Sequence, residues 1–437
     1  MVVVGHVDAG KSTLMGQVLV KMGHVSQRVL HKHEREAREQ GKASFYLAWI
    51  MDEDEEERAH GVTIDVAQKH VVTETKLITL LDAPGHRDFI PKMISGACAA
   101  DVAVLVVPAT PGEFESCFES SGQTKEHALL VKALGVNQVV VAVNKLDAAV
   151  PPWDEGRYEA IKASVEPFLR QIGFKAGKAI AVYSYVARHF LQVRFVPVSG
   201  LSGENVAALS SDCPLSTWYR GDTFLQAIDR FTAAPRAVLK PMRMVCSDIA
   251  PTGKGVVVSG RLLQGRLQQG NRVLVMPIGD LATASRVEKG GAQPGPARAG
   301  DSVEVTLTGV DVTRMVPGSC LCKARSPVPV AEKLEAQVAT LDALAVPLIR
   351  GTEFLLHLQG VDITAHVSKL IALTNSAGTV IKARPRCVPS GATAHVQLTL
   401  SRPICVERYS DCRALGRFVL RQKGQTVAVG LVLELKA

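Results

Sequence analysis

Gly5-His6-Val7-Asp8-Ala9-Gly10-Lys11-Ser12 is the stretch that decides the fold. It fits the pattern Gly-x-x-x-x-Gly-Lys-Ser/Thr, in which glycines let backbone N–H groups turn inward around phosphate oxygens. Its surroundings fit as well. Apolar Val2 to Val4 precede it as a strand, and Met15, Val18, Leu19 and Met22 after it mark one face of a helix. A strand, a glycine loop and a helix N-terminus together form an anion site. Gly5, His6, Val7, Asp8, Ala9 and Gly10 are therefore expected to cradle phosphate. Lys11 is expected to neutralise the β- and γ-phosphates, and the Ser12 hydroxyl to sit on Mg²⁺.

Working outward, the first half of the chain alternates strands and helices. Apolar runs at Leu77–Leu81, Val102–Val107, Val139–Val143 and Phe195–Val198 are continuous rather than alternating, as suits strands buried on both faces of a parallel sheet. Leu129, Leu130, Ala133 and Leu134 mark a further helix face. Three strand ends carry chemistry. Asp82-Ala83-Pro84-Gly85-His86 ends the first of these runs. Asp82 is placed to hold a Mg²⁺-bound water, Gly85 to offer its N–H to the γ-phosphate, and His86 to orient the attacking water. Phosphoryl transfer needs positioning and charge stabilisation more than a strong base. Asn144-Lys145-Leu146-Asp147 ends the third run. The Asp147 carboxylate can accept from the N1–H and N2–H₂ edge of guanine, an edge that adenine lacks. Asn144 would tether neighbouring loops, and the Lys145 stem would lie along the base. Ser199-Gly200-Leu201, after the last run, would give a backbone N–H to guanine O6. Gly61-Val62-Thr63-Ile64 follows the acidic run Asp52–Glu57. The Thr63 hydroxyl would complete the Mg²⁺ shell in the GTP state, and the acidic run reads as a solvated face.

The texture changes after Phe231. Thr232-Ala233-Ala234-Pro235-Arg236 reads as a linker, and short strand-like pieces separated by glycine turns follow. Among them are Gly255–Ser259, Arg272–Met276, Ser302–Thr308, Glu353–Leu358, Ala394–Leu400 and Arg417–Leu420. Regular short strands predict small β-barrels, with a break at Ser326-Pro327-Val328-Pro329. The expected organisation is an α/β P-loop GTPase domain with a mostly parallel sheet over 1–233, then two β-barrel domains over 234–327 and 328–437.

These motifs together, from Gly5–Ser12 through Thr63, Asp82–His86 and Asn144–Asp147 to Ser199–Leu201, resemble the translational GTPases. Gly41-Lys42-Ala43-Ser44-Phe45, Trp49 and Gly122-Gln123-Thr124-Lys125-Glu126-His127 narrow the resemblance to the elongation factor 1-alpha group. Within it, several segments are most similar to the ribosome-rescue GTPases that partner with pelota. They are Leu30-His31-Lys32, Asp88-Phe89-Ile90-Pro91, Gly200-Leu201-Ser202-Gly203-Glu204-Asn205 and Leu415-Gly416-Arg417-Phe418. The resemblance implies a monomeric cytoplasmic factor that uses GTP/GDP and Mg²⁺, carries pelota to the A site, meets a ribosomal RNA surface there and is activated by the ribosome. It implies that Val7 and Val62 gate His86 at rest. The sister branches carry aminoacyl-tRNA or a termination factor. Three departures stand out. Met1 lies four residues before Gly5, so the first strand is short, where the family has more chain upstream. His60 stands where the family has Arg before the switch glycine. About a dozen extra residues lie between Phe174 and Phe195, so 175–194 reads either as an insertion that, if ordered, adds a surface strand or helix, or as a retained intron.

Composition agrees with this class and excludes others. The chain has 437 residues, 47% hydrophobic and 21% charged, enough apolar content for cores and against wholesale disorder. No apolar run approaches the ~20 residues of a membrane helix. Nine scattered Cys without zinc spacing or a signal peptide predict a reducing compartment. Residues 1–233 carry 24 Lys+Arg against 28 Asp+Glu, whereas 234–437 carry 26 against 14. The basic second half points to a polyanionic partner.

Overall fold

The computed structural model describes residues 1–52, 57–58, 63, 65–118, 122–174, 193–253, 255–289, 295–375 and 379–436. They form two compact units, Met1–Ala233 and Ala234–Ala437.

The first unit is built on a six-stranded sheet. Its strands are β1 (Val2–Gly5), β2 (Ala67–Val72), β3 (Leu77–Asp82), β4 (Ala103–Pro108), β5 (Val139–Asn144) and β6 (Val193–Pro197), in the order β2-β3-β1-β4-β5-β6. All neighbours run parallel except β2, which pairs antiparallel with β3 at the edge. β4 and β5 are buried along their whole length, as their unbroken apolar sequences require. The helices are α1 (Lys11–Lys21), α2 (Gln27–Glu39), α3 (Ile90–Cys98), α4 (Glu113–Phe118), α5 (Gln123–Ala133), α6 (Glu155–Gln171), α7 (Leu215–Trp218) and α8 (Phe224–Asp229). Leu14, Met15, Val18 and Leu19 of α1 pack against Val3, Val104, Val140 and Val196 of the sheet. The strand ends Gly5, Asp82, Pro108 and Asn144 lie at one edge of this parallel sheet, where a doubly wound fold places its ligand.

Two expectations need correction. In α5 the buried face is Gln123, Thr124, His127, Ala128, Leu130 and Val131, so of the expected stripe only Leu130 lies on it. This helix turns partly polar residues inward because it packs against the phosphate loop as well as the sheet. The acidic run is also not simply solvated: Asp52 and Glu57 are 4% and 5% exposed.

The second unit holds two antiparallel barrels. The first closes in the ring order β10-β11-β13-β8-β7-β14, with β7 (Arg243–Thr252), β8 (Gly255–Gln264), β10 (Arg272–Met276), β11 (Asp280–Lys289), β13 (Ser302–Thr308) and β14 (Cys320–Cys322). The short pair β9 (Arg266–Leu267) and β12 (Ala297–Arg298) stands beside it. The second ring is β16-β20-β21-β15-β19-β17, closed by β16 on β17, with β18 (Val380–Ala383) added to β17. Its strands are β15 (Val330–Thr340), β16 (Glu353–Leu358), β17 (Val361–Thr374), β19 (Thr393–Cys405), β20 (Arg417–Gln422) and β21 (Gln425–Lys436). Several exceed their sequence reading: β8 extends to Gln264 and β19 spans Thr393–Cys405. Register shifts such as that between Met244 and Arg243 bend the long strands around the barrel, and the bend interrupts the alternation that marks a strand in sequence. Among the described residues no helix is long and apolar enough to cross a membrane.

Candidate nucleotide-binding site

The phosphate loop leads from β1 into α1. Gly10 caps α1 at φ 84, and a Cβ there would stand 2.4 Å from Asn144 Nδ2, so this position requires glycine on both counts. The loop borders a cleft lined by Val7, Asp8, Gly10, Lys11, Ser12, Thr13, Phe45, Ala48, Asp52, Thr63, Gly85 and His86. Residues expected at one site from distant parts of the sequence thus meet.

Charges lining this cleft (Lys11, Asp52) and behind its lining (Asp82) are buried without full compensation. Lys11 is 7% exposed and its Nζ donates to the His6 carbonyl at 2.9 Å. Burial lowers its pKa, opposed by Asp82, Asp8 and Asp52. Asp82, at the end of β3, is fully buried, and neither oxygen meets a hydrogen-bond partner at ordinary geometry among the described residues. Burial pushes its pKa up to about 6 against the pull of Ser12 and Lys11. Asp52 is pushed up to about 7, by burial first and then by the charges of Asp82 and Glu57. Ser12 Oγ lies 3.1 Å from Thr63 Oγ1, and the Thr63 hydroxyl is 3.4 Å from Asp52 Oδ1.

Two hydroxyls and unpartnered carboxylate oxygens form a hard-oxygen donor set suited to Mg²⁺. This ion keeps waters and takes phosphate oxygens as further ligands. Among the described residues no three His, Cys, Asp or Glu side chains gather as a metal cage. The donors present fit a cation that arrives with a phosphate. Gly85 fits the same picture: a Cβ there would stand 2.4 Å from Lys11 Nζ and 3.1 Å from Val7 N, filling the space beside the loop.

His86 is exposed at the rim of the cleft. Its Nδ1 accepts from Asp88 N at 3.3 Å and lies 3.5 Å from Asp88 Oδ2, which leaves Nε2 as the nitrogen available to a water. Val7 is half-buried and lines the cleft. Val62 lies outside the described residues, as do His60, Gly61, Ile64 and residues 175–192 of the insertion.

The base end is constructed differently. Asn144 is buried, donates from Nδ2 to Ala9 O at 2.9 Å, and accepts at Oδ1 from Gly200 N at 2.8 Å. One side chain thus ties the phosphate loop to the Ser199–Leu201 loop. Ser199 is buried with its Oγ accepting from Ser202 N at 3.1 Å, and Leu201 is exposed. Lys145 takes a left-handed backbone, φ 61, and its ammonium pairs with Glu113 at 2.9 Å. Asp147 is half-buried in the short turn Leu146–Ala148.

Sequence reasoning passed over two residues. Asp52 sits beside Thr63. Its signal was position, directly after buried Met51 and ahead of the switch threonine. His127 is fully buried behind the loop, and its one sequence signal is its place in the Gly122–His127 segment.

Comparison with known proteins agrees with this geometry. The elongation factor Tu GTP binding domain family matches residues 1–234, and the GTP-eEF1A C-terminal domain-like family matches residues 333–433. Protein HBS1 of Drosophila melanogaster is 44% identical over the whole chain, which spans 63% of that protein's length. Elongation factor 1-alpha of Staphylothermus marinus is 36% identical over the whole chain and 96% of its own length. The Saccharomyces cerevisiae Ski7 GTPase-like domain, solved bound to GTP, shares the fold with a TM-score of 0.78 at 18% identity, covering 99% of this chain and 96% of that one. Fold and site define a P-loop GTPase of the kind that binds GTP and GDP with Mg²⁺. The chain belongs to the translational GTPases of the elongation factor 1-alpha-like group.

Proposed function

We propose that the chain is the GTP-hydrolysing core of a ribosome-rescue factor that delivers pelota to the A site of stalled cytoplasmic ribosomes and acts as a monomer away from them. The observation that carries this reading is the 44% identity to HBS1 along the full chain, against 35–37% to elongation factors 1-alpha. The excess of basic residues in 234–437 suits an RNA-rich surface.

In this reading the N–H groups of the loop Gly5–Gly10 and the Lys11 ammonium bind the phosphates. Ser12 and Thr63 offer hydroxyls to Mg²⁺, and Asp82 holds one of its waters. Bound Mg²⁺ would supply charge stabilisation to the transferring phosphoryl group. Gly85 N–H bonds the γ-phosphate. Asp147 accepts from the guanine edge, Lys145 covers the base, and the backbone of Ser199, Gly200 and Leu201 donates to O6. His86 Nε2 orients the attacking water once the ribosome draws the ring inward past Val7 and Val62.

A second reading keeps the chemistry and changes the cargo to aminoacyl-tRNA. It is favoured by the elongation factors that align over 96% of their length. GTP hydrolysis measured with empty-A-site ribosomes separates the two, with pelota, release factor 1 or aminoacyl-tRNA added in turn. Stimulation that requires pelota is expected. Stimulation by either other cargo moves the chain to a sister branch.

A further inference from the structure

The phosphate loop is held from behind by α5, and one residue of that helix is costly in a way that demands a reason. His127 is fully buried. Its Nδ1 lies 3.1 Å from the Gly5 carbonyl oxygen, while Nε2 has no hydrogen-bond partner among the described residues. Burial and the nearby Lys11 ammonium lower its pKa to about 3, so the ring is neutral at any working pH. With a carbonyl as the partner of Nδ1, the proton resides there. A leucine would fill the same space beside Ala128 and Val131 without stranding a nitrogen. The feature that distinguishes histidine here is the donor.

A donor on Gly5 is useful for a simple electrostatic reason. A phosphate loop works when its N–H groups face the anion, and each C=O must then face away from it. Two successive carbonyls open this loop. That of His6 accepts from Lys11 Nζ at 2.9 Å, and that of Gly5 accepts from His127. The Lys11 ammonium is also the group expected to reach phosphate, so its hold on His6 loosens when nucleotide binds. His127 has no such second task. The His6 side chain is bonded to Gln123, one helical turn before His127 on the same face of α5.

We propose that His127 is a positioning residue for nucleotide phosphate: its Nδ1–H holds the Gly5 carbonyl turned away from the anion, so that the N–H groups that follow stay aimed at it. The proposal rests on the guanine-nucleotide reading above and adds a residue that does not touch the nucleotide.

The test is stopped-flow dissociation of mant-GDP and mant-GTP from the full chain, with H127A, H127L, H127N and H127Q. An asparagine amide places its nitrogen where histidine has Nδ1. A glutamine amide reaches the Nε2 position, and leucine fills volume without a donor. H127A, H127L and H127Q are expected to release both nucleotides about tenfold faster and H127N to stay within about twofold of the wild type, as loss of one preorganised hydrogen bond implies. Intrinsic turnover at saturating GTP is expected to hold while KM rises. If H127L matches the wild type and H127N is fast, His127 only fills space and the proposal falls. It falls equally if all four match the wild type. Nucleotide-free melting identifies any variant that fails to fold, and the H127N–H127Q contrast then carries the decision alone. A wild-type chain that binds neither nucleotide overturns the guanine-nucleotide reading itself, whereas tight wild-type binding with unchanged variants overturns only the role of His127.

Discussion

Two clusters of buried charge among the described residues are treated in opposite ways. In the second unit, Arg243 and Glu407 are 5% and 6% exposed. They satisfy one another: Arg243 Nε and Nη2 reach Glu407 Oε1 at 2.9 and 2.7 Å, and Nη1 donates to the carbonyls of Met242 and Ser326. This pair fastens the first barrel's β7 to the loop that follows β19. In the first unit, Lys11, Asp52 and Asp82 are as deeply buried, yet Asp82 has no hydrogen-bond partner at ordinary geometry and both carboxyls are pushed far above their usual range. A buried charge answered by the protein is structural. One short of protein partners suits the charged ligand of the proposed function.

The sharpest way to break that contrast is to remove one cation from each place. Arg243→Met leaves Glu407 buried alone and is expected to destabilise the second unit by about 3–5 kcal/mol, whereas the double variant Arg243→Met/Glu407→Leu should recover most of it. Nucleotide binding should not change in either. Lys11→Met is expected to weaken GTP binding by at least about a hundredfold, as befits loss of a charge-assisted contact to phosphate. It should also leave the nucleotide-free melting temperature nearly unchanged. Calorimetry and equilibrium nucleotide binding measure both. If Lys11→Met unfolds the free protein as Arg243→Met does, the distinction between the two places is wrong.

The same contrast explains how much was legible in the sequence. The expected site residues at strand ends were readable because their constraints are local: Gly10 needs a left-handed φ, Asn144 ends a buried β5, and Asp82 ends β3. The barrels were visible as a class, but β17 and β19 were read short or missed. Their register shifts, between Val367 and Lys369 for example, break the alternation on which a sequence reading depends. Asp52 and His127 were missed for a different reason. Each owes its role to a neighbour far along the chain, Asp82 thirty residues on for one and Gly5 for the other, and nothing in a local window marks an acid as buried or an imidazole as stranded.

A smaller effect follows from pH. Asp52 and Asp82 have native pKa values of about 7 and about 6, above an unfolded value of 3.8. Their contribution to stability without ligand is full below about pH 4 and is lost as pH rises through 6 and 7. In the proposed reading Mg²⁺ would compete with those protons. The rise in melting temperature that Mg²⁺ with GTP produces is therefore expected to be larger at pH 8 than at pH 6, by an amount equivalent to about 1–3 kcal/mol. Asp52→Asn should flatten the upper part of that profile. A thermal gain independent of pH would mean that the two carboxyls are not what the cation answers.

The smallest effect belongs to the Asn144 tie, whose amide meets partners at both ends. Asn144→Ala removes two neutral hydrogen bonds, to Ala9 O and from Gly200 N. It should weaken GDP and GTP alike by about ten- to thirtyfold, in line with two ordinary hydrogen bonds. Unlike Lys11→Met, the loss should be the same with Mg²⁺ or with chelator, because Asn144 ties one loop to another and compensates no charge. Mant-nucleotide titrations in both conditions decide the matter. A loss that grows with Mg²⁺ would show that the base end and the phosphate end are one electrostatic system, with the tie at Asn144 transmitting the strain of an unanswered Asp82 to the guanine loop.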